Sequence, residues 1–329
     1  MRVPYLACVQ HLSEFTLLFQ RRHNDFGNSL LGTKVREGEA NTEMLVDIII
    51  GGLLTGGLYA LLAVGFSLQY GVARVLNVSY GEFIMVGAVA TYSLYIPFGI
   101  NPLVSLAICG PFLFIIGILV HRVLFERFRR VSESVEQFEG MSILVSFGLL
   151  FIIQNIVMLT WGNDVKGYTF LASPVNLLGA IFSTNRLVVL LFAVIIVFIL
   201  YLFLAHTRIG KAIRAAAQEG TGAQLMGIDI HWMHSLCFGL GALLAGLGGA
   251  LLSMMFAVSA VMGFPYTIIA IIVVIVGGLG NIFGSLAGGL ILGFMSSIMM
   301  HIQPGLSLIA FYVLLMLMLL VKPRGIFGR

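Results

Sequence analysis

Between Ile230 and Val321 the chain runs for 92 residues without an Asp, Glu, Lys or Arg. About 20 consecutive apolar residues carry a helix across a bilayer core, so this run alone predicts three or four spans. Hydrophobic segments of the same kind lie upstream. Nine are predicted altogether, at roughly 46–70, 82–97, 102–121, 141–160, 187–206, 233–257, 267–280, 283–300 and 305–321. Membrane strands alternate lipid-facing and lumen-facing residues, whereas "IIAIIVVIV" (Ile268–Val276) is apolar on every side. The expected fold class is therefore all-α, a polytopic helical bundle of about eight or nine transmembrane segments. The two segments flanking Gly280 are short and glycine-interrupted, which predicts a broken or re-entrant pair.

Composition supports this reading. The chain is 59% hydrophobic and 10% charged, and a soluble fold of that make-up would expose too much apolar surface. The 39 glycines suit helices packed closely in lipid. Cys8, Cys109 and Cys237 form neither a disulfide framework nor a metal cluster. The net charge of +4 comes from basic residues dispersed along the chain, so it reads as loop bias and not as nucleic-acid binding.

The basic residues also predict orientation. Arg74, Arg122, Arg127, Arg129, Arg130, Arg208, Lys211, Arg214, Lys322, Arg324 and Arg329 fall on one side of the alternating segments, against Lys166 and Arg186 on the other. The first group, with the C-terminus, is expected in the cytoplasm. Nine spans would then place residues 1–43 outside, although these carry five basic residues (Arg2, Arg21, Arg22, Lys34 and Arg36) and five acidic ones. They hold no spanning run and no signal-peptide pattern. We read them as a non-conforming extension with Met44 as the expected start, and 44–329 as the domain.

Enzyme signatures fail one by one. At Gly210–Lys211 a phosphate-binding loop would need Gly and Ser/Thr where Ala205 and Ala212 stand. "GLGN" ends in Asn281 where an intramembrane aspartyl protease would place its acid, and no Gly-x-Ser-Gly occurs. His231 and His234 lack a carboxylate or Cys to complete a zinc set, and are expected to be interfacial.

Four-residue spacing puts Gly280, Gly284 and Gly288 on one helical face, and Gly289 and Gly293 on another, as packing grooves. "GLLTGGLYALL" (Gly52–Leu62) matches "ALLAGLGGALL" (Ala242–Leu252) at six of eleven positions, as an internal repeat would and as Ala/Gly/Leu-rich sequence can by chance. Polar residues within or at the edges of spans cost free energy, so Asn77, Glu82, Asn155 and Asn281 are candidates to line a pathway. For Glu82 the plainer alternative is an interfacial anchor or a helix N-terminal acid.

"HTRIGKAIRAAAQEGTGAQLMGID" (His206–Asp229) interrupts the hydrocarbon. As a helix from Thr207 it places Ile209, Ile213 and Ala216 on one face and Arg208, Lys211 and Arg214 toward another. Gly220 and Gly222 are expected to break it before a second short helix. Such a unit could rest on anionic headgroups, but its small residues fit a knob inserted into a protein cleft.

Five motifs, in order across residues 45–329, resemble the H-type membrane permeases of ABC importers for branched-chain amino acids. They are "GGLLTGGLYALLAVGFSLQYGVARVLNVSYGEFIMVGA" (Gly51–Ala88), "GLLFIIQN" (Gly148–Asn155), "TRIGKAIRAAAQEGTGAQLMGI" (Thr207–Ile228), "VGGLGNIFGSLAGGLILG" (Val276–Gly293) and the "KPRGIFGR" ending. The resemblance implies a non-enzymatic, cofactor-free subunit in a prokaryotic inner membrane. It also implies a second, non-identical permease subunit, two cytoplasmic ATP-binding subunits and an extracytoplasmic solute-binding protein, which would deliver substrate to the outer loops, chiefly 161–186. The 207–228 element would couple to the ATPases, with Arg208, Gly210, Arg214, Ala216 and Gly227 as its residues. Two departures stand out: Thr221-Gly222-Ala223 where relatives carry Glu-Ala-Ala, and Val-Ser-Tyr within "NVSYGEF" (Asn77–Phe83) where they carry Phe-Ala-His. The second leaves urea, short amides and other amino acids as alternative substrates. A self-sufficient secondary transporter or channel is the rival class, and it would need buried ionisable pairs for a coupling ion. An intramembrane hydrolase is a third, disfavoured by its missing turns.

Overall fold

The structure is a computed structural model that describes residues 44–177, 180–323 and 325–327. The extension 1–43 and the cations Arg324 and Arg329 thus lie outside the described residues.

Each predicted hydrophobic segment is helical. Helix α1 spans Met44–Ala73, α2 Tyr80–Phe98 and α3 Pro102–Val120. A π-turn at His121–Phe125 runs on from α3 into the short α4 (Glu126–Val131). Then follow α5 (Val135–Trp161), α6 (Thr184–His206), α7 (Arg208–Gln218), α8 (Gly220–Leu225), α9 (Ile230–Ser253), α10 (Gly263–Gly277), α11 (Ile282–Ile302) and α12 (Ser307–Val321). Seven of the helical stretches are long and apolar enough to cross a membrane, while α10 and α12 are shorter. Between α5 and α6, strands β1 (Pro174–Leu177) and β2 (Ala180–Ser183) make an antiparallel hairpin, Pro174 opposite Ser183.

Helix α9 is the axis. Nearly its whole surface is buried, mainly against α2 and α3. Small residues allow this: a methyl group on Gly249 would overlap the Ile84 carbonyl of α2, and one on Gly117 would press on Gly239 and Ala242. Helices α5, α6 and α12 are peripheral, with Leu144, Leu159 and Leu320 among their exposed apolar side chains. Water would not tolerate that surface, and lipid accepts it.

The bundle has two chemically distinct ends. At the hairpin end Lys166 pairs with Val258, Asn185 donates to the Met254 carbonyl, and Tyr92, Tyr95, Trp161 and Tyr168 pack as an aromatic cluster of the kind found at membrane interfaces. At the other end Arg129 donates to the Ala73 carbonyl at the close of α1, and the chain after α12 returns to α10 through Ile326 N–H to the Val276 carbonyl.

The expectation of a broken pair around Gly280 is met in part. Helix α10 has 15 residues and spans only ~22 Å, short of the ~30 Å hydrocarbon core, whereas α11 has 21 residues and is long enough to cross. Gly280 is not on the helical face expected for it. It lies in the turn before α11, at φ +76°, 3.0 Å from Gly71 by its would-be Cβ. Gly284 and Gly288 do lie on one face, against Gly277 and Val273 of α10, and Gly289 and Gly293 form the second face, against Ala60 and Gly56 of α1. His234, expected at an interface, is buried with its ring 6.5 Å from that of His121.

Candidate functional site

The α7–α8 unit is built from its first residue upward. The Thr207 hydroxyl accepts from the Gly210 N–H at 2.9 Å as an N-cap and donates to the Phe203 carbonyl at 2.6 Å, tying α7 to the end of α6. Gly210 faces that end so closely that any side chain would overlap the Leu204 backbone. The buried face is Gly210, Ile213 and Ala216. Ile209, expected on it, is 43% exposed: Ile213 and Ala216 are buried as expected, but the position nearest α6 is taken by Gly210.

Arg214 does not simply face outward as a docking charge. Its guanidinium donates to the Leu204 and Ala205 carbonyls, supplying the donors that a helix C-terminus lacks. Arg208 and Lys211 are exposed. The break between the short helices falls at Glu219, whose backbone is extended at φ −152°, and both Gly220 and Gly222 lie inside α8. Gly227 closes the unit in the left-handed region at φ +80°, with the Ile228 N–H returning to the Ala223 carbonyl. Asp229 then caps α9 through the Trp232 N–H.

Sequence reasoning missed the exposed apolar tip of this unit. Leu225 is 85% and Met226 83% exposed, side by side where α8 ends, although the lipid-facing helices lie elsewhere. The signal was available: two large apolar residues stand at the close of a short helix whose buried anchor is Ala223.

The four pathway candidates are not brought together. Asn77 is fully buried and hydrogen-bonded. It donates to the Gln69 Oε1 at 3.1 Å and accepts from the Ser79 N–H and hydroxyl, while Gln69 donates to the Phe238 carbonyl. This network holds the non-helical segment between α1 and α2 inside the bundle. Glu82, in the first turn of α2, is fully buried, so the interfacial alternative does not apply. Its carboxyl group lies against Gly263, the first residue of α10, and makes no hydrogen bond among the described residues. Two helix N-termini, which favour negative charge, converge there. Asn155 is exposed on α5 and donates to its own helix at Phe151.

Asn281 lies near the α7 end, where it accepts from the Gly284 N–H as the N-cap of α11 and donates to the Phe327 carbonyl at 3.1 Å. Asn281→Ala should therefore lower thermal stability by about 1 kcal/mol, read as a depressed Tm of the detergent-solubilised protein.

Comparison with known proteins accords with this architecture. Residues 48–321 match the family model described as branched-chain amino acid transport system / permease component. The chain is 29% identical over 300 residues to the high-affinity branched-chain amino acid transport system permease protein BraD of Pseudomonas aeruginosa, covering 85% of this chain and 95% of that one. It is 30% identical to the corresponding LivH of Salmonella typhimurium (85% and 94%) and to a probable LivH of Methanocaldococcus jannaschii (85% and 92%). No solved structure matches. A helical, multi-pass membrane bundle with that match over most of its length has one reading: the chain belongs to the family of branched-chain amino acid transport system permease components.

Proposed function

We propose that this chain is one of two permease subunits, the other non-identical, in an ATP-driven importer of branched-chain amino acids in a prokaryotic inner membrane. In this reading the α7 end and the C-terminus face the cytoplasm, in accord with the eleven-to-two bias of Lys and Arg in the sequence. ATP hydrolysis belongs to separate subunits, and a solute-binding protein delivers substrate at the hairpin end.

The observation that carries the proposal is the exposed Leu225–Met226 tip on a unit clamped to α6 by Thr207, Gly210 and Arg214. A rigid unit with an apolar tip transmits force once the tip is seated in a partner cleft, since its clamp leaves no slack between α7 and α6. ATP binding would then favour one of two arrangements of the bundle and expose the pathway to alternate sides. Arg208 and Gly227 serve the same unit as a surface charge and a turn. Glu82, at the meeting of α2 and α10, and Asn77, in the buried segment between α1 and α2, would respond inside the bundle; Asn155 and Asn281 are peripheral to them.

Affinity purification of the chain from native membranes tests this. ATP-binding subunits and a second permease should co-elute. A chain recovered alone, in membranes where such subunits are abundant, would contradict the reading.

A further inference from the structure

A cavity of about 260 Å³ opens at the hairpin end of the bundle, between the start of α1, the start of α6 and the close of α11. Two opposite charges line it without pairing. Asp47, in the first turn of α1, uses Oδ2 to meet the His301 Nε2 at 2.9 Å, while Nδ1 of the same ring meets the Ser297 carbonyl at 2.9 Å. Its Oδ1 has no hydrogen-bond partner among the described residues. Arg186, in the first turn of α6, forms no ion pair among the described residues. A cation there opposes the helix dipole, so helix stability does not explain its position. The remaining wall mixes hydroxyl side chains, among them Thr55, Ser296 and Ser297, with an apolar part, where Phe182 is buried and Phe256 and Met300 are 38% and 58% exposed. The neighbouring groove between α1, α6 and α11, lined by residues such as Leu53, Val194 and Leu290, has no charged lining at all.

An unpaired guanidinium suits a carboxylate, which it can hold by two parallel bonds. An available carboxylate oxygen suits an ammonium, and the aromatic and Met wall suits a short alkyl group. We propose that this cavity binds a free zwitterionic amino acid with an apolar side chain, Arg186 taking its carboxylate and Asp47 its ammonium. The inference rests on the reading of the chain as an amino-acid permease. A phosphatidylethanolamine headgroup carries the same two charges, and the test separates the sources.

The test measures binding of radiolabelled L-leucine to the purified complex, without the solute-binding protein, in nanodiscs of phosphatidylcholine with and without phosphatidylethanolamine. The competitors are isoamylamine, which lacks the carboxylate, and 4-methylpentanoate, which lacks the ammonium. Leucine should bind in both lipids, and both competitors should be weaker. Arg186→Gln should weaken leucine at least about tenfold and leave isoamylamine unchanged, Asp47→Asn should likewise weaken leucine but leave 4-methylpentanoate unchanged, and Arg186→Lys should restore part of the loss. Leucine affinity unchanged in both variants, or variants that alter only phosphatidylethanolamine retention, would overturn the site. ATP-driven leucine uptake measured in parallel separates the two claims. Normal uptake in Arg186→Gln sinks this site alone, whereas no uptake by the wild-type assembly sinks the importer reading with it.

Discussion

Replacing Leu225 and Met226 together with Ser should strip the ATP-binding subunits from the purified assembly while the permease still inserts and folds. Both side chains are almost fully exposed in the isolated subunit, so their loss costs the fold little. Seated in a partner cleft, each would be worth roughly 1.5–3 kcal/mol of burial, and losing both should weaken association by about a hundredfold or more. Arg214→Glu is a poorer probe of docking. It would remove the bonds to Leu204 and Ala205 and set a negative charge on the C-terminal carbonyls of α6, loosening the clamp itself. Retained subunits in the double-Ser variant, measured by co-purification against the wild type, would place the docking surface elsewhere.

Gly249→Leu should abolish the folded protein altogether. A first methyl group at this position already meets the Ile84 carbonyl of α2, and neighbouring Gly246 is pressed by Leu113 of α3. Overpacked cores commonly lose about 1–3 kcal/mol when side chains can shift, but here the obstacle is backbone on the bundle's central helix. Gly148 on α5 has nothing within 4 Å, so Gly148→Leu adds one more apolar side chain to an exposed face and serves as control. Size-exclusion profiles of the two variants, extracted from membranes in mild detergent, should show a monodisperse peak for Gly148→Leu and aggregate for Gly249→Leu.

The sequence was most legible where hydropathy decides. Each apolar segment became a helix, and the amphipathic interruption after His206 became a pair of short helices ending near Ile228. It was least legible where the partner of a residue decides. The four-residue spacing of Gly280 with Gly284 looked like one face, but the left-handed turn at Gly280 ends the regular spacing before α11 starts. Arg129 and Arg214 were read as side-marking charges. Each also caps a helix C-terminus, at Ala73 and at Leu204, a role set by tertiary approach rather than by local pattern. Asn281 was read as a pathway residue from its position in a glycine-rich turn, and it is a helix cap that also holds the returning chain. Asp47, Arg186 and His301 lie far apart in sequence, so no local pattern announces the cavity they share.

In the proposed function the α7–α8 unit is a handle worked by separate ATP-hydrolysing subunits. Uptake of labelled leucine into sealed vesicles tests it most directly, comparing this chain alone with the assembly of both permeases, ATP-binding subunits and solute-binding protein. The prediction is accumulation only in the full assembly with ATP, abolished in the double-Ser variant of Leu225 and Met226. Accumulation by this chain alone, driven by an ion gradient and collapsed by ionophores, would contradict it.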